Sequence, residues 1–133
     1  MTPVQESVKQ GRVVIVEDDV GNALTLELLL RSETPYEVRT YANAMELLES
    51  LEEIRQEKPV LFFLDYLLPE VDGLLLCEWL HALKDFREVP TVLITASTEE
   101  RLKQEAERRG MALIRKPYSM QTLLEVVRQH VNE

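Results

Sequence analysis

The sequence predicts an α/β fold in which five β-strands alternate with five α-helices and form one doubly wound parallel sheet, in the strand order 2-1-3-4-5. The first observation is that short apolar runs alternate with longer segments of helical spacing, which indicates βα units. The second is that several runs are apolar without interruption, as expected for strands buried on both faces. The third is that two of these runs end in carboxylates. Right-handed crossovers with helices on both faces then favour this order, which places strands 1 and 3 side by side.

The composition is that of a single domain. With 133 residues, 45% of them apolar, the chain can bury a core without metals or disulfides. We expect residues 1–11 to form a flexible leader and residues 12–133 to form the domain. The single cysteine, Cys77, excludes an internal disulfide, and the polar first ten residues contain no signal segment, so a cytoplasmic location is expected. No run is long enough to cross a membrane.

The net charge of −9 limits the classes of partner. It argues against a nucleic-acid-binding surface, which would be built from lysine and arginine. It also predicts carboxylates gathered in one place, and such a cluster usually needs a cation. His81 and His130 are far apart in the sequence with no matching cysteine spacing, so a zinc site is not indicated.

The first two strands differ in their predicted burial. Residues 12–16 are apolar after Arg12 and deliver three acids, Glu17, Asp18 and Asp19, at the carboxyl end of a buried strand. Residues 20–31 follow with the apolar pattern of a helix that covers the sheet. Residues 36–40 alternate apolar and polar side chains, which favours an edge strand.

The second helix and the third strand lead to the centre of the predicted sheet. Asn43 is a weak helix cap, and the apolar spacing continues to Ile54, which predicts one helix. Residues 60–64 form an unbroken apolar run that ends in Asp65. In an open parallel sheet this end of a central strand faces the ligand crevice, although a strand-end aspartate by itself more often begins a turn.

The third helix is predicted over residues 73–84, with Asp72 as its cap. It is apolar nearly all round. Such a helix either lies between two layers or presents apolar surface to a partner, and we favour the first.

The last two βα units complete the sheet. Residues 91–95 predict a buried strand, and a capping box at Ser97 predicts a helix to about residue 109 that offers only Leu102 and Ala106 to a core. Because most helical stability comes from an apolar face, this helix should be loosely held.

Residues 112–115 form a short fifth strand, and a last helix capped by Ser119 extends to about residue 131.

The predicted topology brings chemistry-bearing side chains to one edge of the sheet. Glu17 and Asp18 follow strand 1, Asp65 ends strand 3, Thr95 ends strand 4 and Lys116 follows strand 5. Carboxylates brought together either bind protons or are held ionised by a cation, and Mg²⁺ is the cation that such oxygen ligands favour.

A carboxylate in this setting is able to act as the nucleophile toward a phosphoryl group. Asp65 would then become an acyl phosphate, and Lys116 and Thr95 are groups that neutralise and hydrogen-bond the transferred oxygens. No glycine-rich nucleotide loop is present. The phosphoryl donor should therefore be another phosphorylated molecule.

These residues, in this order, resemble the receiver domain of two-component response regulators. The resemblance covers about residues 12–131. It rests on VVIVEDD with Glu17 and Asp18, on DYLLPEVDG with Asp65, Pro69 and Gly73, on Thr95-Ala96, and on Lys116-Pro117. Each motif alone is weak, and the four together are highly specific.

The resemblance implies a flavodoxin-like receiver fold and a role for each motif. Asp65 would be the phosphoacceptor. Mg²⁺ would be bound by Asp18, Asp65 and the backbone carbonyl of Leu67, and by Glu17 through water. Thr95 would be the switch hydroxyl and Lys116 the phosphate-contacting lysine. Pro69 and Gly73 would be structural residues, as would Pro117 after a cis peptide bond.

It also implies the partners and class of the protein. A sensor histidine kinase or a histidine phosphotransfer protein would donate the phosphoryl group, docking near the first helix. A downstream protein would bind the surface formed by the fourth helix, the fifth strand and the fifth helix. The domain would be a signalling module that takes part only in its own phosphorylation and dephosphorylation. The sequence does not decide between a monomer and a homodimer, and it names neither the kinase nor the pathway.

The chain departs from the receiver pattern in three places. Leu113 stands three residues before the lysine, where receivers usually have tyrosine or phenylalanine. Leu67 and Ser97 occupy the positions two residues after Asp65 and Thr95. No output domain follows Glu133, which fits a stand-alone regulator, a relay intermediate or part of something longer.

Two other functions remain open from the sequence. One is a degenerate receiver that binds partners without phosphorylation, which the unusual Leu113 allows. The other is an aspartyl phosphatase of the haloacid dehalogenase type. That family has a second aspartate where this chain has Leu67, so the leaving group would lack its usual proton donor.

Overall fold

The computed structural model describes residues 11–131 and confirms the predicted fold class, with five parallel strands in the order β2-β1-β3-β4-β5. The strands are β1 (Arg12–Val16), β2 (Glu37–Tyr41), β3 (Pro59–Asp65), β4 (Thr91–Thr95) and β5 (Ala112–Arg115). The helices are α1 (Val20–Glu33), α2 (Ala44–Leu48), α3 (Leu51–Gln56), α4 (Gly73–His81), α5 (Glu100–Arg108) and α6 (Met120–His130), with a 3₁₀ helix at Lys84–Phe86. The leader prediction falls almost wholly on residues 1–10, which lie outside the described residues.

The sheet separates two apolar cores because successive side chains of each strand point to opposite faces. On one face, Val13 and Ile15 of β1 pack with Leu26 of α1 and Leu123 of α6. On the other face, α2 to α5 cover the sheet, with Leu76 of α4 among the fully buried side chains. The central strands are therefore buried on both sides, as their uninterrupted apolar runs predict. Among residues 11–131, no helix combines the length and apolar character that crossing a membrane requires.

The second predicted helix is two helices, so the expectation of one continuous helix is wrong. The N–H of Ser50 donates to the carbonyl of Leu47 at 2.9 Å, a 3₁₀-type bond that closes the turn between α2 and α3. Leu47 and Ile54 both remain buried across this break. Their seven-residue spacing is two helical turns, so it does not distinguish one helix from two.

The third predicted helix is shorter and more exposed than expected. α4 ends at His81 because Leu83 is extended and turns the chain, so that Phe86 packs edge to face on Phe62 with ring centroids 5.7 Å apart. The preferred interpretation of this helix as lying between two layers is wrong. One side of α4 packs on the sheet, while Leu75 and Trp79 on the other side are 39% and 44% exposed.

The start of the fourth predicted helix also differs. α5 begins at Glu100, preceded by Glu99, whose side chain makes no capping bond. The Ser97 hydroxyl instead accepts the N–H of Glu99 at 3.1 Å, so the predicted capping box at Ser97 is wrong. Leu102 and Ala106 are the buried residues of α5, as predicted.

Candidate functional site

Three carboxylates meet where the central strands end. Carboxylate oxygens of Glu17, Asp18 and Asp65 all lie within 4.8 Å of one another. Glu17 and Asp18 directly follow β1, and Asp65 is the last residue of the adjacent β3. Glu17 and Asp65 are buried, whereas Asp18 is exposed. Strand order, rather than closeness in the sequence, therefore assembles this acidic cluster as predicted.

Lys116, which follows the edge strand β5, brings a positive charge to the acidic cluster. Its Nζ lies 3.3 Å from Oε1 of Glu17 and 3.5 Å from Oδ2 of Asp65. The N–H of Lys116 donates to the carbonyl of Thr95 at 2.8 Å, which continues the pairing of β5 with β4 and fixes the root of the side chain. The ammonium group thus bridges two acids that would otherwise repel each other.

The electrostatic balance of the cluster appears in the pKa values of two groups. Burial raises the pKa of Glu17, the N–H of Asp19 opposes this change, and the charge of Asp65 adds to it. Burial alone would lower the pKa of Lys116, but the charges of Asp65 and Glu17 outweigh it, so that this pKa is raised. The cluster therefore favours a bound cation, and Lys116 supplies one positive charge.

Thr95 lies at the end of β4, between β3, which ends in Asp65, and β5, which is followed by Lys116. It is 1% exposed, and its Oγ1 accepts the N–H of Ser97 at 3.0 Å. Because the Thr95 oxygen is the acceptor in this bond, the hydroxyl hydrogen of Thr95 remains available for another acceptor.

The loop after β3 holds the remaining predicted residues on this side. The N–H of Leu67 donates to Oδ1 of Asp65 at 3.3 Å, and the Leu67 side chain is 67% exposed. Ligation of a metal by the Leu67 carbonyl stays a prediction. The carbonyl of Pro69 accepts the N–H of Val71 at 2.7 Å in the turn that leads to α4.

Gly73 allows α4 to approach the site closely. A Cβ atom at this position would lie 2.6 Å from the carbonyl oxygen of Asp65 and 2.7 Å from Cδ1 of Leu93. The N–H of Gly73 donates to the carbonyl of Tyr66 at 2.9 Å. Only glycine fits here without a shift of backbone or core, which gives the predicted structural residue a steric reason.

The residues around Lys116 complete the description. The Lys116-Pro117 peptide bond is cis. Leu113 is half-buried, packs on the core beneath α5 and stands opposite Leu93 of β4. It has no hydrogen-bonding group to reach toward the site.

The roles of two groups in and around the site are not predicted from the sequence. Asp19 caps α1 by accepting the N–H of Asn22 at 2.8 Å, and its own N–H donates to Glu17. Arg115 donates from its guanidinium to the loop before α5. Arg115 lies on the same face of β5 as Leu113, but this position alone is also typical of an arginine on a solvated surface.

Open pockets lie on both sides of α1 next to the acids. One has a volume of about 510 Å³ and is lined by residues that include Lys116 and Tyr118. The other has a volume of about 340 Å³ and is lined by residues that include Asp18 and Leu24. The acidic cluster is therefore accessible to a large partner group.

Known proteins are similar to this chain in sequence and in fold. The sequence matches the family model described as "Response regulator receiver domain" over residues 13–128. The polar-differentiation response regulator DivK from Brucella ovis is 30% identical over 125 residues, which cover 91% of this chain and 96% of that protein. The fold of a CheY-like response regulator receiver domain protein from Methanospirillum hungatei JF-1 matches with a TM-score of 0.80 and 26% identity, over 93% of this chain and 95% of that one.

A third similarity concerns the fold alone. The receiver domain of the sensor histidine kinase PA1611 from Pseudomonas aeruginosa PAO1, solved with a magnesium ion coordinated in its active-site cleft, matches with a TM-score of 0.78 and 22% identity. The match covers 94% of this chain and all of that domain. A family match over most of the chain, together with acids assembled at the strand ends, shows that this chain belongs to the response regulator receiver domains of two-component systems, which are signalling domains rather than classical enzymes.

Proposed function

We propose that Asp65 is the phosphoacceptor of this receiver domain and that residues 12–133 form the phosphorylated unit. The acidic cluster carries the proposal, because Asp65 lies at a strand end within 4.8 Å of two further carboxylates. The Lys116 ammonium lies 3.5 Å from its Oδ2. The single cysteine supports a reducing, cytoplasmic setting.

The reaction is the transfer of a phosphoryl group from a phosphohistidine donor. A carboxylate oxygen of Asp65 forms a bond to phosphorus while the phosphorus–nitrogen bond breaks, and the electron pair of that bond returns to the donor's imidazole. The product on this chain is an acyl phosphate. Lys116 neutralises the oxygens of the transferred group, and the hydroxyl of Thr95 donates a hydrogen bond to them.

Glu17, Asp18 and Asp65 fit a divalent cation. Carboxylate oxygens are the ligands that Mg²⁺ prefers, and burial of Glu17 beside Asp65 disfavours the metal-free ionised pair. We assign Asp18, Asp65 and the Leu67 carbonyl as direct ligands, and Glu17 as a ligand through water. When bound, Mg²⁺ neutralises the acids and the transferred oxygens. The magnesium in the P. aeruginosa receiver domain supports this assignment at the level of the fold.

An exposed apolar stripe on α1 is the proposed docking surface for the donor protein. Val20, Leu24 and Leu28 are 82%, 53% and 58% exposed and are spaced four residues apart, on one side of the helix. Val20 and Leu24 line the pocket that also contains Asp18. A histidine kinase or phosphotransfer protein bound here would bring its phosphohistidine to Asp65.

The output surface is proposed to be the one formed by α5, β5 and α6. α5 buries only Leu102 and Ala106 and has no side-chain cap at its N-terminus. Small changes at Thr95 and Lys116 are therefore able to move it at low energetic cost.

Intact-mass measurement after incubation with Mg²⁺ and acetyl phosphate tests the phosphoacceptor. Wild type should gain one phosphoryl group, Asp65→Asn none, and wild type treated with EDTA none. Labelling that persists in Asp65→Asn would show that another residue is the phosphoacceptor. A wild type that is never labelled, by this donor or by a histidine kinase, would favour an interaction module that works without phosphorylation.

The docking surface has its own test. Leu24→Ser should slow transfer from a phosphorylated histidine phosphotransfer domain by at least tenfold, while labelling by acetyl phosphate stays at the wild-type rate. Leu28→Ser tests the far end of the same stripe. Equal rates from the protein donor in all three proteins would remove α1 from the proposal.

Leu67 gives a further expectation about the lifetime of the acyl phosphate. Its exposed apolar side chain, next to Asp65, has no group that orients a hydrolytic water. Leu67→Asn should therefore release phosphate faster than wild type. Equal release rates would contradict this idea without affecting the assignment of Asp65.

A further inference from the structure

Arg115 connects the end of β5 to the loop that leads into α5. Its Nε lies 3.0 Å from the carbonyl oxygen of Ser97, and its Nη2 lies 3.4 Å from the carbonyl oxygen of Glu99. A guanidinium group donates in a fixed fork, so two such bonds define the position of the loop better than a single contact does.

The same loop supports the hydroxyl of Thr95. Ser97 accepts from Arg115 through its carbonyl and donates through its N–H to Oγ1 of Thr95 at 3.0 Å. Thr95 and Arg115 are also paired directly across β4 and β5. Arg115, Ser97 and Thr95 thus form one hydrogen-bonded chain that ends at the hydroxyl beside the acidic cluster.

Few other contacts fix this loop among the described residues. The Glu99 side chain makes no capping bond at the start of α5, and the apolar anchors of the helix, Leu102 and Ala106, come later. Leu113, on the same face of β5 as Arg115, offers only carbon atoms. The guanidinium is therefore the main polar link between β5 and the start of α5.

We propose that Arg115 is a positioning residue, which acts through Ser97 to orient the Thr95 hydroxyl toward a phosphoryl group on Asp65. This inference rests on the proposed function, since it gives Thr95 a phosphoryl oxygen as its acceptor. Arg115 donates its side-chain hydrogen bonds to the carbonyl groups of Ser97 and Glu99, not to Asp65. It would therefore affect the phosphoryl group only indirectly, through Ser97 and Thr95.

Binding of beryllofluoride with Mg²⁺, a stable substitute for the phosphoryl group, measures this influence. Arg115→Met keeps an unbranched side chain but has no donors. It should raise the dissociation constant of beryllofluoride by roughly threefold to tenfold, the effect expected for about one hydrogen bond. Arg115→Lys should recover only part of the loss, because a single ammonium does not reproduce the fork. Arg101→Met is the matched control, since Arg101 is exposed and, among residues 11–131, forms its one ion pair with the side chain of Glu99.

A double-mutant cycle separates positioning from a general loss of stability. Thr95→Val removes the hydroxyl, so in that background Arg115→Met should change the dissociation constant by less than about twofold. Amide exchange of residues 97–103 should be faster in Arg115→Met, with the urea midpoint changed little. Both variants should remain folded, and urea unfolding checks this.

The outcomes distinguish this inference from the proposed function. If wild type does not bind beryllofluoride, the proposed function fails and this inference fails with it. If wild type binds and Arg115→Met weakens binding equally with and without the Thr95 hydroxyl, the inference alone is overturned. An Arg115→Met protein with wild-type affinity overturns it as well.

Discussion

α4 and α5 cover the same face of the sheet on either side of β4, yet they are held in different ways. α4 buries Leu76, Cys77 and Leu80 and begins at Gly73, which lies against the carbonyl of Asp65. α5 buries two side chains and begins at a loop that hydrogen bonds hold in place. One helix is fixed by close packing, and the other by a few polar contacts.

Under the proposed function, this difference would keep the site rigid while the output surface moves. Asp65, the proposed phosphoacceptor, lies on the closely packed side, where its carbonyl group lies against Gly73 of α4. Thr95 and Lys116 lead into the loosely packed side. A change of charge at Asp65 should therefore be transmitted toward α5 rather than toward α4, because motion occurs where the fewest buried contacts are lost.

The largest effect should come from removing one leucine from each helix. Leu76→Ala is expected to lower the free energy of unfolding by about 2–5 kcal/mol. The loss should lie near the upper end of this range, because a firmly packed helix cannot shift to close the cavity. Leu102→Ala should cost less, about 2 kcal/mol, since α5 is able to shift into the space. Urea unfolding of both variants measures the difference, and equal losses would show that α5 is packed as firmly as α4.

The close approach of Gly73 is the next largest contribution. Gly73→Ala should destabilise the protein by about 1–3 kcal/mol, because the new methyl group meets the Asp65 carbonyl and Leu93. Labelling by acetyl phosphate should also slow, since Asp65 must move. Gly21→Ala is the matched control in the first turn of α1. Its Cβ would have only an ordinary contact of 3.4 Å with Asp19, so it should be neutral or stabilise by up to about 1 kcal/mol. A Gly73→Ala protein as stable as wild type would contradict the close packing at this end of α4.

A smaller, pH-dependent effect should come from Glu17, which belongs to the fixed side and contacts Lys116 of the movable side. The pKa of Glu17 is raised on folding, so the folded protein holds this proton more tightly than the unfolded chain. Its contribution to stability is therefore fully present below the ordinary glutamate pKa and is lost as the pH rises through the folded value. Glu17→Gln should flatten this fall and raise the urea midpoint at pH 7.

Magnesium provides the control for that experiment. It should raise the urea midpoint of wild type more at pH 7 than at pH 4.5, because binding needs ionised carboxylates. It should have less effect on Glu17→Gln at either pH. A wild type whose stability rises steadily between pH 4.5 and pH 7 without metal would mean that Lys116 already satisfies both acids.

The fold could be predicted closely wherever burial on both faces dictates the sequence. The limits of β1, β4 and β5 agree with the apolar runs. The strand order agrees with the one predicted from right-handed crossovers and helices on both faces of the sheet. The side of α4 that faces the sheet could not be predicted, because leucine and tryptophan all round leave no periodic signal. The spacing of Ser97 to Glu100 predicts a capping box, whereas the Ser97 hydroxyl accepts the N–H of Glu99 within the loop.

The site could be predicted in part for a related reason. A charged residue at the end of a buried strand is conspicuous, so Glu17, Asp18, Asp65 and Lys116 were found and are together in the structure. Arg115 could not be found in this way, because an arginine at a strand end also fits a solvated surface. Its role depends on the path of the loop opposite, which no local pattern encodes.

The smallest expected effect concerns the one ion pair found between α4 and α5 in residues 11–131. Nη1 of Arg109, which directly follows α5, lies 3.5 Å from Oε1 of Glu78, while Arg109 also pairs with Glu105 of α5. Glu78→Gln should cost only about 0.2–1 kcal/mol, because both side chains are exposed to solvent and salt screens the pair. Glu107→Gln removes a charge from an exposed position on α5 as the control. Amide exchange should become faster in α5 and stay unchanged in α4, since only the loosely packed helix depends on such a contact. Faster exchange in α4 would mean that the two helices move together and that the contrast between them is one of degree.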